Sequence, residues 1–167
     1  MSVINIHERL LDAPITEIGK LIDGLASAED KLWPHALWPA MKFDRPLGVG
    51  AVGGHGSIRY AVESYKPGSY IQFRFTKPEG FLGIHGFEVW TVKGGKTKLR
   101  HRIEMHVQGK ARLTWPLVIC PLHDALMEDA LDRAEVYAGG EPPNRRSSLW
   151  VKFLRRVMGR GRSTKRR

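Results

Sequence analysis

Lys98-Leu99-Arg100-His101-Arg102-Ile103-Glu104-Met105-His106-Val107-Gln108 alternates without a break. Leu99, His101, Ile103, Met105 and Val107 share one face, while Arg100, Arg102, Glu104 and His106 share the other. That period of two marks a strand with one face on a core and one in water. A slip of one residue would turn every apolar side chain outward, so the register is strongly specified. Working outward, residues 57–64, 70–76, 85–92 and 111–115 alternate in the same manner. Ile58, Tyr60 and Val62 share a face, as do Ile71, Phe73 and Phe75, and Phe87 and Val89. The separators are Lys66-Pro67-Gly68, Lys77-Pro78-Glu79-Gly80, Lys93-Gly94-Gly95-Lys96 and Gly109. Connections this short join antiparallel neighbours.

On the N-terminal side, residues 3–11 read as a strand stopped by Asp12-Ala13-Pro14. Ile15, Ile18, Leu21, Ile22 and Leu25 then recur at helical spacing, with Pro14 suited to the entry. A short helix is expected over 28–32, followed by turns at Trp33-Pro34 and Trp38-Pro39, because a residue before proline avoids the α region. On the C-terminal side, Pro121 opens a long helix to about residue 138, with Leu122, Ala125, Leu126, Ala130, Ala134 and Tyr137 near one face. The order is strand, helix, short helix, five to six antiparallel strands and a long helix. This predicts an α+β fold whose curved antiparallel sheet is covered on one face by the last helix, a shape that leaves room for an internal apolar cavity.

That order and several segments resemble the START-like superfamily, also called SRPBCC or helix-grip proteins, over roughly residues 1–138. The resemblance rests on Asp12-Ala13-Pro14-Ile15, on Arg59-Tyr60-Ala61-Val62-Glu63-Ser64-Tyr65-Lys66-Pro67-Gly68, on Phe87-Glu88-Val89-Trp90, and on the helix entry from Trp115-Pro116-Leu117 to Pro121-Leu122-His123-Asp124-Ala125-Leu126. It implies a cavity between sheet and C-terminal helix for apolar or amphipathic small molecules, and members include lipid-transfer domains, polyketide cyclases and hormone-binding proteins. A fold of this kind fixes no single chemistry.

The inward faces and the helix nominate ten ligand-binding residues: Tyr60, Phe73, Phe75, Phe87, Val89, His101, Ile103, Met105, Leu122 and Leu126. His101 is the one ionisable residue on its otherwise apolar face, and His85 shares parity with Phe87. A buried imidazole needs a partner. Tyr60 or backbone would make His101 a core histidine; a ligand's polar head or a proton-transfer role is the alternative.

No catalytic residue, metal site or cofactor motif is assigned. The glycine-rich stretch from Gly48 to Gly56 has no lysine and precedes a strand, so it reads as a bent edge strand or loop rather than a phosphate cradle. His123, Asp124 and Glu128 lie near one helix face without a metal-ligand spacing signature. No serine has a nucleophile-elbow setting. The lone Cys120 excludes an intramolecular disulfide, fits a reducing cytoplasm and reads as a packed thiol.

The 167 residues suit one domain and carry a net charge of +10 with a pI near 10.0. Ten of the 27 basic residues, but only Glu141 of the 17 acidic ones, lie from residue 141 onward. The first 140 residues hold 17 basic and 16 acidic side chains, a net of +1. We therefore expect a ligand-binding domain over 1–140 and, over 141–167, a linker with a basic amphipathic helix and a disordered basic tail. Leu149, Trp150, Val151, Phe153, Leu154, Val157 and Met158 form one helical arc, and Lys152, Arg155 and Arg156 fill the remainder. Trp150, Phe153, Leu154, Arg155 and Arg156 are the candidates for contact with an anionic membrane. Docking on the domain itself and nucleic-acid binding are the other readings of this segment. No apolar run approaches the roughly 20 residues of a membrane span, and the N-terminus reaches charge too early for a signal peptide, so a cytoplasmic protein, peripheral at the membrane if the tail binds it, is expected. The function expected is binding, transport or sequestration of an apolar or lipidic molecule. A cyclase or dehydratase in the same cavity, or an interaction module working through the tail, are the alternatives.

Overall fold

The computed structural model describes residues 1–141 and 148–163, with side chains through Val157 in the second stretch. Linker residues 142–144 and the side chains from Met158 onward, including the terminal arginines, lie outside the described residues. The elements run β1 (Ser2–Leu11), α1 (Ile15–Asp23), β2 (Lys42–Phe43), β3 (Val52–His55), β4 (Ile58–Lys66), β5 (Tyr70–Lys77), β6 (Phe81–Thr91), β7 (Thr97–Val107), α2 (Ala111–Thr114), a π turn (Trp115–Ile119), α3 (Cys120–Tyr137) and α4 (Leu149–Ser163). The seven strands form one antiparallel sheet in the order β1-β7-β6-β5-β4-β3-β2.

The alternation of β7 is realised in the expected sense. Leu99, His101, Ile103, Met105 and Val107 are buried, and Arg102, Glu104 and His106 are exposed. Ile71 and Phe73 of β5 are buried with Arg74 outside. Together with α1 and α3 these faces enclose the core.

The segment Glu63-Ser64-Tyr65-Lys66-Pro67-Gly68 has a mechanical reason for its residue types. The Tyr65 hydroxyl and the Gly68 backbone N–H both donate to Asp23 Oδ1, each at 2.8 Å, which staples the β4–β5 turn to the end of α1. Gly68 sits at φ 70°, and a Cβ on the facing Gly19 would overlap its backbone, so both positions require glycine.

Two expected elements are different. Residues 28–32 form turns, not a helix, because the Asp30 carboxylate accepts the backbone N–H groups of Ala26, Leu32 and Trp33 at 2.8–3.0 Å. Residues 111–115 are helical, not a strand. Ala111 and Trp115 are buried and Leu113 is 69% exposed, the spacing of a helix, whereas a strand would place Leu113 on the same face as the other two. Strand β6 also starts four residues earlier than expected, at Phe81.

The chain from Leu149 packs on the domain. Val151 and Leu154 are buried within the core cluster. Pro121 has no N–H to offer Leu117 O, four residues back. That carbonyl accepts Trp150 Nε1–H at 2.9 Å instead. Arg155 stacks 4.6 Å over the Trp38 ring and donates to Leu37 O at 3.2 Å.

Candidate functional site

A cavity of about 480 Å³ lies between the concave face of the sheet and α3. That volume is within the range of small-molecule sites, roughly 300–1,000 Å³. The sheet contributes His55, Ile58, Phe75, Phe81, His85, Phe87, His101 and Ile103. The π turn and α3 contribute Trp115, Val118, Ile119, Leu122, His123, Leu126 and Met127, and the loop after α1 contributes Trp33, Trp38, Pro39 and Met41. Two hydrogen bonds hold that loop in place: Trp33 Nε1–H to Pro39 O at 2.9 Å and Trp38 Nε1–H to Asp129 Oδ2 at 2.7 Å. Among the described residues, no Asp, Glu, Lys or Arg is part of the wall.

Of the ten residues nominated from sequence, Phe75, Phe87, His101, Ile103, Leu122 and Leu126 line the cavity. Tyr60, Phe73, Val89 and Met105 are buried in the surrounding core instead. The sequence reading missed the tryptophans, Met41 and Met127, because loop residues and the second face of α3 obey no sheet period. His55 was hidden in the glycine-rich stretch; its pairing with Ile58 across the β3–β4 hairpin is what turns it inward.

Four histidines therefore stand in one wall. His55 Nδ1 and the Tyr60 hydroxyl share a hydrogen bond at 2.9 Å. His85 stacks on Phe75 at 4.5 Å, and its Nδ1 lies 3.4 Å from His101 Nε2. The His101 and His123 rings are 5.0 Å apart. Burial pushes His55 down to about 3, reinforced by the positive charges His123 and Arg59 would contribute. Burial, then the neighbouring histidines, hold His85 and His101 well below the ordinary imidazole value. His123 is lowered by burial against the opposing pull of Asp124. The wall is therefore neutral at physiological pH.

Behind it runs a charged seam between β1 and α3. Asn5 Nδ2–H donates to Asp124 Oδ1 at 2.9 Å, and His7 reaches Asp124 Oδ1 at 3.1 Å and Glu128 Oε1 at 3.0 Å. Both His7 nitrogens face carboxylates, so both carry protons. Burial alone would lower His7, yet these hydrogen bonds raise it overall. Against a burial penalty, hydrogen bonds from His123, His7 and Asn5 hold Asp124 far below the usual carboxylate range. Arg9 completes the seam with Glu128, Asp132 and Glu135. His7, His123 and Asp124 offer donor atoms within 4.8 Å of one another, a grouping with the chemistry to hold a cation, though the imidazolium of His7 already occupies Asp124. Cys120 donates to Asp124 Oδ2 at 3.5 Å, and burial pushes its thiol up to about 11, so it is no thiolate nucleophile at neutral pH.

Of the five tail residues nominated for membrane contact, Leu154 is buried on the domain and Arg155 is engaged by Trp38 and Leu37. Phe153 and Arg156 remain on the outer side, and Trp150, half-exposed while its indole N–H is held by Leu117 O, stacks on the Phe153 ring at 5.5 Å. No helix among the described residues is long and apolar enough to cross a membrane.

No protein-family model matches the chain, and no curated protein matches it in sequence. Solved structures do share its fold. A protein from Thermobifida fusca superposes with a TM-score of 0.62 at 13% identity, covering 86% of this chain and 98% of that one. The di-domain ARO/CYC StfQ from the steffimycin biosynthetic pathway gives 0.59 at 12% identity, over 83% of this chain and 51% of its own. The norcoclaurine synthase of Thalictrum flavum gives 0.55 at 16% identity, over 78% and 95%. At these identities the likeness is one of fold.

Proposed function

We propose that this chain, built on the START-like helix-grip fold, binds an uncharged apolar small molecule in the cavity under α3. The observation that carries the reading is the wall itself: about 480 Å³ lined by aromatic, aliphatic and neutral histidine side chains with the hydroxyls of Ser57 and Thr114, and with no charged residue among the described ones. A carboxylate or ammonium entering it would lose its hydration without meeting a counter-charge. Two of the structures similar in fold are named as a synthase and an ARO/CYC, so turnover in the same cavity is the second reading, and the histidines are the groups that would serve it. Native mass spectrometry and organic extraction of the full-length protein test the proposal. We expect a non-covalently bound neutral compound, displaced in Leu126→Trp, where an indole would fill the cavity. A chain free of any ligand, which also refuses apolar tricyclic probes, would refute it.

The outer face of α4 supports peripheral attachment to an anionic membrane. Leu149, Trp150, Phe153 and Val157 are all at least 47% exposed beside Lys152 and Arg156, as interfacial helices require. Sedimentation with phosphatidylserine-rich vesicles should be lost in the double variant Trp150→Ser, Phe153→Ser and should weaken as salt rises. Binding unaffected by that variant would refute the attachment.

A further inference from the structure

Part of strand β1 is patterned inside out. Ile4 and Ile6 are exposed, while Asn5, His7 and Arg9 alternate onto the half-buried face toward α3. Turning apolar side chains to water and polar ones inward forfeits burial on both faces. Arg9 accounts for its end of the row through Glu128, Asp132 and Glu135. The other end is oversubscribed. Asn5 Nδ2 lies 2.9 Å, His7 Nε2 3.1 Å and His123 Nδ1 3.5 Å from a single oxygen, Asp124 Oδ1. A carboxylate oxygen offers two lone pairs, so three nitrogens are more than it can accept from.

We propose that His7, His123 and Asp124 form a binding site for one divalent transition-metal ion of the zinc class, joining β1 to α3. Their donor atoms lie within 4.8 Å of one another. Ligands about 2.0–2.1 Å from a tetrahedral zinc stand about 3.4 Å apart. The separations of His7 Nε2 and His123 Nδ1 from Asp124 Oδ1, 3.1 and 3.5 Å, bracket that value. Two imidazoles with one carboxylate select such an ion over calcium or magnesium, which take oxygen ligands.

The surroundings supply the outer support that metal ligands need. Glu128 Oε1 accepts His7 Nδ1–H at 3.0 Å, which orients Nε2 as the ligating atom, and Asn5 Nδ2–H fixes the Asp124 carboxylate. The proton on His7 Nε2 and the ion compete for one place, so binding releases that proton. Asp124, with its side chain 42% exposed, leaves the ion a way in from solvent, and water completes the coordination. The site needs no cavity ligand and is independent of the apolar-ligand reading.

Zinc alone, added to chelator-treated full-length protein in mildly alkaline buffer, tests the proposal. After dialysis into zinc-free buffer we expect one zinc per chain by elemental analysis, and a thermal midpoint that rises with zinc concentration. His7→Gln and Asp124→Asn should each lose the retained zinc. Glu128→Gln keeps all three ligands and should weaken zinc binding about tenfold to a hundredfold by competition with a chromophoric chelator. Imidazole nitrogen NMR of the wild type gives an answer that needs no variant to fold: one equivalent of zinc should shift His7 and His123 and leave the exposed His35 and His106 unmoved. A wild type that retains no zinc, shifts confined to His35 or His106, equal retention in the two ligand variants, or magnesium displacing zinc at equal concentration would each overturn the site.

Discussion

Lowering the pH from 7 to 5 should destabilise this fold far more than its carboxylates would explain. His55 is pushed down to about 3, and His85 and His101 well below 6.5, by burial among Tyr60, Phe73, Phe75 and Phe87. The unfolded chain protonates each of them near 6.5, whereas the folded state keeps them neutral. A depressed folded value means stability that is present above 6.5 and lost as pH falls below it. For a histidine that stays neutral down to pH 5, linkage gives a loss of about 2 kcal/mol between pH 7 and 5, or about 6 kcal/mol for three. His123, also lowered, adds to this. His7 opposes it: its raised value makes its contribution fullest below 6.5, an offset under about 1 kcal/mol across the same interval. The net, about 5 kcal/mol, is comparable with the whole stability of a small domain. Urea unfolding followed by tryptophan fluorescence at pH 7 and pH 5, extrapolated to water, measures it directly. His101→Phe should reduce the acid loss by about 2 kcal/mol, since one proton-binding difference is gone. A change below about 1 kcal/mol between the two pH values, or greater stability at pH 5, would refute the assignment of a neutral buried wall.

The remaining expectations concern the supports of that wall. Arg9→Ala leaves Glu128, Asp132 and Glu135 without their shared guanidinium, whose side chain is only 13% exposed, and should cost about 3 kcal/mol in the same unfolding assay. Asp23→Ala removes the acceptor of both Tyr65 and Gly68 and should cost about 1–3 kcal/mol, lowering the thermal midpoint by several degrees. Truncation after Gly140 exposes the surface that Val151 and Leu154 cover, so the shortened domain should still unfold cooperatively but be about 3–5 kcal/mol less stable by urea titration. Unchanged stability would mean that α4 adds nothing to the core.

Strand β7, the neighbouring hairpins and α3 were legible from residues alone because each carries a period of 2 or 3.6 that local geometry imposes on any half-buried element. Leu99, Ile103 and Phe73 face the core for that reason. Residues 111–115 were not legible in this way, because Ala111 and Trp115 fall on one side under either period and only Leu113, exposed in the structure, tells helix from strand.

The apolar inward faces, the antiparallel order and the near-neutral charge of the first 140 residues were determined by the sequence itself, since each depends on neighbours within a few positions. The histidine wall was decided only by tertiary structure. His55, His85, His101 and His123 come from β3, β6, β7 and α3, up to 68 positions apart, and nothing local links them. Sheet curvature and the packing of α3 bring the rings together, and the desolvation that keeps them neutral exists only once the chain has closed around them.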